Sequence, residues 1–201
     1  MVKSDAGMQR TRSAILDAAA RALGRRSDAA MAEIADEAGV GRATLYRHFP
    51  TRESLLRGVA EVGMAELVEA FAAANLDELP ADRAITRIIA VYLRNGAKYA
   101  AVIGQADQFC DHDAIERTVR PIRDVIARGI RDKVLRDDLR PDVVLAMFSA
   151  IVERTLWLTV GEIMTPEEAT EAAVTIFLNG ARKPEYAITA RRAQVTGAGE
   201  G

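Results

Sequence analysis

The chain has 201 residues, is 49% hydrophobic with few aromatics, and carries a formal charge of −2, so net charge alone does not point to nucleic acid. A single cysteine, Cys110, excludes an internal disulfide, and no stretch has the basic, apolar and small-residue order of a secretory leader. The longest apolar run, near 143–160, is broken by Ser149, Glu153 and Arg154, which excludes a membrane span; with the lone cysteine and no secretory leader, the chain reads as cytoplasmic.

The charge is unevenly placed. Residues 1–57 hold 10 Lys and Arg against 7 Asp and Glu, a net of +3, while the remainder holds 17 against 22, a net of −5. A basic head on an acidic body is the expected arrangement.

Apolar spacing predicts a first helix over 9–24, with Ile15, Ala18, Ala19, Ala22 and Leu23 on one stripe and Arg10, Arg12 and Arg21 outside it. Arg10 and Arg12 are candidates for phosphate contact, or simply a solvated face. A second helix over 30–38 has Met31, Ile34, Ala35 and Ala38 on one side and is stopped by Gly39. A third, over 42–48, has Leu45 as its one strong core residue. Packing through Val40, Leu45 and Phe49 turns Arg42, Thr44, Tyr46, Arg47 and His48 toward solvent, and these are side chains that bind phosphates and base edges. Two short helices joined by a glycine-containing turn, the second polar on its outer face, form the helix-turn-helix plan. Pro50 ends this unit, and Thr51 caps a long helix over 51–74 that runs from the head into the body.

The run from Ile34 to Leu56, with Ile34-Ala35, Ala38-Gly39-Val40, Thr44-Leu45-Tyr46, His48-Phe49 and Glu53-Ser54-Leu55-Leu56 in order, resembles the DNA-binding signature of the TetR family over roughly residues 9–57. The resemblance implies a homodimer of all-helical subunits, with three N-terminal helices on double-stranded operator DNA and the rest forming a ligand pocket and a dimer face. It implies contacts from Arg42, Ala43, Thr44, Tyr46, Arg47 and His48, and sets Arg52 where a phosphate-binding Lys is usual. Ala29 and Ala30 replace a usual Thr pair that caps the second helix and touches phosphate; Asp28 could cap one residue earlier.

The body reads as helices over 81–100, 114–135, 141–160 and 166–179, with a shorter one around 104–110. Thr165-Pro166-Glu167-Glu168 forms a capping box and Asn179-Gly180 a stop. The 141–160 helix is apolar nearly all round, which fits either a core helix in a monomer or a helix shared between a core and a second subunit. In the second case it forms a four-helix interface with the last helix, through Ala169, Ala172, Ala173, Ile176 and Phe177. A two-fold pair of recognition helices reads a palindrome with half-sites about 34–36 Å apart, or a multiple of that.

Pocket candidates for a small hydrophobic or amphipathic ligand are Phe71, Tyr92, Tyr99, Phe109, Met147, Phe148 and Trp157, although each alone also reads as core. Glu153 and Arg154 either line that cavity or are exposed. The 107–113 segment gathers Cys110, His112 and three aspartates, but fits no zinc spacing and reads as a polar loop. His48 has no nucleophile or acid beside it, so no catalytic residue, metal or cofactor is expected.

The expected fold is thus all-α, divided into an N-terminal three-helix head (1–57), a larger helical ligand-binding and dimerisation domain (58–182) and a loosely ordered tail (183–201). The expected function is a ligand-responsive transcriptional repressor released from DNA by a small molecule. A helical ligand-binding or enzymatic domain with an incidental helix-turn-helix is the alternative, and steeply salt-dependent duplex binding separates the two.

Overall fold

Helix α1 (Val2–Arg25) opens the chain in a computed structural model that describes residues 2–95, 97–100 and 106–181. It is followed by α2 (Met31–Glu37), α3 (Arg42–His48), α4 (Arg52–Ala72), a short 3-10 turn (Leu76–Glu78), α5 (Ala81–Asn95), α6 (Ala97–Ala100), α7 (Ala106–Phe109), α8 (His112–Arg131), α9 (Pro141–Val160) and α10 (Pro166–Ala181). The described residues contain no strand. The fold is all-α, with a three-helix N-terminal head and a larger helical C-terminal body, as expected.

Two apolar clusters give the molecule its two parts. The head core gathers Ile15, Leu16, Ala19 and Leu23 from α1, Ile34 and Ala35 from α2, Leu45 from α3, Phe49, and Leu55 and Val59 from α4. The body core takes Leu67 and Phe71 from the same α4, then Ile85, Ile88 and Ile89 from α5, Val125 and Ile126 from α8, Phe148 and Val152 from α9, and Phe177 from α10. Helix α4 therefore crosses residue 57 without a break and contributes to both cores. At about 1.5 Å per residue its 21 residues span about 30 Å, a rigid link between head and body.

Capping explains where the helices begin. Thr51 accepts from the Ser54 N–H at 3.0 Å while its own N–H donates to the Ser54 hydroxyl at 3.1 Å. Thr165 and Glu168 make the expected reciprocal box, with Glu168 N–H to Thr165 Oγ1 at 3.2 Å and Thr165 N–H to Glu168 at 2.9 Å. Helix α8 begins earlier than expected because Asp111 caps it, accepting from Ala114 N–H. It also ends earlier: Lys133 adopts φ 60°, and Val134 and Leu135 both donate back to the Gly129 carbonyl at 2.9 Å. Leu135 is fully buried from this reversal, so an apolar residue that reads as one more helical turn is instead folded back onto the body.

Helix α9 changes one expectation. Its 20 residues, with a mean hydropathy of 1.7 over the most apolar window, are long and apolar enough to cross a membrane, so Glu153 and Arg154 do not exclude a span by length and composition. In the fold, Val144, Phe148, Val152, Thr155 and Leu156 face the core while Met147 is 55% exposed. Arg154 is exposed and Glu153 half-buried. The tail beyond residue 181 lies outside the described residues.

Candidate nucleic-acid interface

The turn between α2 and α3 follows from its sequence. Ala38 closes α2, Gly39 turns left-handed at φ +66°, its N–H donates to Asp36 at 3.1 Å, and Val40 N–H donates to Ala35 at 3.0 Å. This is the two-bond pattern that ends a helix on a glycine, a conformation costly for a residue with a Cβ. Gly41 then starts α3 through its carbonyl, which accepts from Thr44 at 2.9 Å and Leu45 at 3.1 Å.

Leu45 is fully buried and Phe49 nearly so, and these two fix which way α3 faces. Arg42 and Tyr46 form one outward row at i, i+4, and Ala43 and Arg47 form the next, all exposed. Thr44 and His48 form the third row, half-buried at the edge. Six of the seven residues of α3 thus lie outside the buried Leu45 stripe, four of them exposed and two half-buried at its edges.

The arginines of the head divide by what holds them. Arg21 and Arg25 both pair with Glu37 of α2, the former at 3.0 Å; Arg26 pairs with Asp28 at 2.9 Å and with Glu33; Arg57 pairs with Glu53 at 3.0 Å. Arg12 lies 4.5 Å from the centre of the Phe49 ring, a cation–π contact beneath the end of α3. Arg10 is exposed, with its Nε donating to the Ala6 carbonyl at 3.2 Å. Arg42 and Arg47, like Arg10, make no ion pair among the described residues, which leaves the guanidinium groups of α3 available to a ligand.

Arg52, expected to contact phosphate, is also held from within the head. Its guanidinium turns inward and donates to the carbonyls of Ala29 and Ser27, the latter at 2.6 Å, bracing the loop before α2. The missing Thr pair is also compensated differently from the expectation. Asp28 pairs with Arg26 rather than capping, and the Ala30 N–H donates to Glu33 at 2.7 Å. The hydrogen bond from Arg26, then that from Ala30, holds the Glu33 carboxyl below its ordinary value. A cleft of about 400 Å³ beside α3 is lined by Arg12, His48, Thr51, Ser54 and Arg57 together with Glu53 and Glu61.

The pocket candidates do not converge. Phe71 and Tyr92 meet edge to face at 5.2 Å within the body core, and Phe148 meets Phe177 the same way at 5.2 Å. Phe71 also floors a cleft of about 490 Å³ between α4 and α8, whose rim carries Arg117 and Arg120. Phe109 lies apart from these, packed with Cys110 against the head core. Met147 stands on the outer face of α9, and Trp157 is half-buried. The side chain of Tyr99 lies outside the described residues. Helical spacing marks Phe71, Tyr92, Phe109 and Phe148 as core residues, but not which of the two cores each one meets.

A three-helix head with a helix-turn-helix, joined by a shared helix to a helical body, defines a DNA-binding protein of the helix-turn-helix class. Residues 15–59 match the model of bacterial regulatory proteins of the tetR family. The HTH-type transcriptional repressor LfrR of Mycolicibacterium smegmatis is 41% identical over 81 residues, a match spanning 40% of this chain and 43% of that protein. The crystal structure of the TetR-like regulator LfrR from Mycobacterium smegmatis in complex with proflavine superposes with a TM-score of 0.70 at 27% identity, over 86% of this chain and 96% of that one. The ketosteroid regulator KstR2 of Mycobacterium tuberculosis shares the fold with a TM-score of 0.64 at 20% identity, over 86% and 95% of the two chains. The DNA-binding segment matches the TetR family, and the fold of the whole resembles that of TetR-like regulators.

Proposed function

We propose that the protein is a cytoplasmic, homodimeric transcriptional repressor that binds a palindromic operator and is released by a small hydrophobic or amphipathic molecule. The observation that carries this reading is the outer face of α3: Arg42, Tyr46 and Arg47 exposed around a buried Leu45, with both arginines outside any ion pair among the described residues. Arg42 and Arg47 supply guanidinium groups for guanine edges and for phosphates, Thr44 offers a methyl to thymine, and Tyr46 and His48 donate to phosphate at the groove wall. Ala43, with no long side chain, leaves room for the groove edge between the Arg42 and Arg47 rows. Arg52 contributes through the loop it braces and through its remaining N–H groups.

Dimerisation is supported by the outer faces of α9 and α10, where Met147 and Ile176 are 55% and 64% exposed beside one shallow groove. The family's fold supports ligand release, since α4 belongs to both cores and transmits any movement of the body to the head. Coupling of about 1–3 kcal/mol changes operator affinity about 5- to 150-fold. A flat aromatic cation such as proflavine, bound by LfrR, is the first ligand to test.

The experiment is fluorescence anisotropy with duplexes tiled across the DNA flanking the protein's own gene. One duplex binds, affinity falls steeply with salt, and Tyr46→Ala and Arg47→Ala fold but bind poorly. Equal binding by both variants would end this reading.

A further inference from the structure

Away from the DNA face, α1 meets the body at two points among the described residues, one on α6 and one on α9. Lys98 on α6, with a side chain only 16% exposed, donates from Nζ to Asp17 of α1 at 2.9 Å and to Glu66 of α4 at 2.5 Å. Burial pulls the Lys98 pKa down, but hydrogen bonds to Glu66 and Asp17 and the charge of both carboxylates outweigh it and leave the value raised, so the ammonium stays charged.

The second point lies seven residues along α1, two turns and about 10 Å away on the same face. There Gly24 faces Val160, the last residue of α9, so closely that a Cβ on residue 24 would lie 2.4 Å from Val160 Cγ1. Val160 fills a notch that only a glycine leaves open. A rod fastened at one point swivels; fastened at two points separated along its length, its direction is fixed. Helix α1 also supplies Ile15, Leu16, Ala19 and Leu23 to the head core, so the head follows wherever α1 points.

We propose that Lys98 is a positioning residue: by bridging Asp17 and Glu66 it fixes, with the Val160–Gly24 contact as the second anchor, the direction in which the DNA-binding head leaves the body. The positioning stands on the geometry alone. Its consequence for operator affinity, through the spacing of two heads, rests on the proposed function.

The test therefore reads position without DNA. Spin labels are placed at the exposed Ser13 of α1 and Thr175 of α10 in full-length Cys110→Ala protein, diluted with unlabelled protein so that pulsed dipolar spectroscopy reports pairs within one chain. The parent gives one narrow distance, and Lys98→Met shifts or broadens it by about 2 Å or more, the scale of helix shifts at interfaces. Thermal melting is followed in parallel. A melting point that falls while the two distance distributions superimpose would overturn the proposal, because Lys98 would then be a stabilising ion pair and nothing more. Should Lys98→Met fail to fold, Asp17→Asn loosens α1 while keeping the Lys98–Glu66 pair, and is judged by the same distance criterion.

Discussion

Arg52 reaches back from the start of α4 to the carbonyl of Ala29, just ahead of α2, and a second nitrogen of the same guanidinium takes the Ser27 carbonyl at 2.6 Å. The residue that follows the recognition helix in sequence thus fixes the loop that precedes the helix-turn-helix. Removing it leaves the half-buried Ala29 carbonyl without its partner and returns the exposed Ser27 carbonyl to water, a loss of about 1–3 kcal/mol for the charged pair of hydrogen bonds. Arg52→Ala is expected to lower the unfolding free energy by that amount, and Arg52→Lys, with no planar fork to serve both carbonyls, to recover less than half. In the salt dependence of duplex binding, Arg47→Ala reduces the slope by about 0.9 for each phosphate it no longer neutralises, whereas Arg52→Ala reduces it by less. A wild-type denaturation midpoint for Arg52→Ala would show that the brace does not matter.

Glu33 replaces the absent side-chain cap of α2. Its carboxylate accepts from Arg26 and from the Ala30 N–H, and both hold its pKa below the ordinary 4.5. A folded-state value lower than the unfolded one means a contribution to stability that is complete above about pH 4.5 and is lost as pH falls through the depressed value. Glu33→Gln removes the titrating group. The difference in melting temperature between wild type and Glu33→Gln is therefore expected to be constant at neutral pH and to shrink on acidification below the usual glutamate range. A difference that stays constant down to the lowest pH at which both fold would refute this origin of the cap's stability.

Two helical glycines are expected to respond oppositely to alanine. A Cβ on Gly58 would lie 2.9 Å from the Phe49 ring and 3.1 Å from Leu16, both buried in the head core. Overpacking of this kind costs about 1–3 kcal/mol, against about 1 kcal/mol gained in helix propensity, so Gly58→Ala is a net loss. Gly180 near the end of α10 has nothing within 4 Å of its Cβ position, and Gly180→Ala is expected to gain up to about 1 kcal/mol. Chemical denaturation of the two variants measures both signs.

The head was legible because its punctuation is local. Gly39 and Pro50 mark the ends of α2 and α3, and a single leucine, Leu45, decides which side chains point outward. What decides the rest is not local in sequence. Whether Asp28 or Glu33 caps α2 depends on where Arg26 lies, and whether Arg52 turns outward depends on two carbonyls more than twenty positions earlier. In the body an aromatic at helical spacing announces burial but not its partner, which is why Phe109, next to the head core, resembles Phe71, deep in the body. Leu135 shows the same limit, since only the backbone reversal at Lys133 takes it out of α8.

The face that α9 and α10 leave open carries the remaining prediction. Met147 and Ile176 flank a shallow groove of about 160 Å³ whose walls include Leu139, Ile151 and Phe177. Singly exposed apolar residues are ordinary, but two large ones beside one apolar groove, on two helices packed side by side, form a patch suited to a second copy. In a two-fold interface every residue occurs twice, so one introduced carboxylate becomes two in an apolar setting. Ile176→Glu is expected to halve the mass measured by light scattering, and Met147→Glu to weaken association in the same direction, while circular dichroism stays helical because neither side chain belongs to the buried core. Under the proposed function, operator binding then falls far more than binding to non-specific duplex, since a palindrome needs both heads at fixed spacing. An unchanged dimer in both variants would place the subunit interface elsewhere on the molecule.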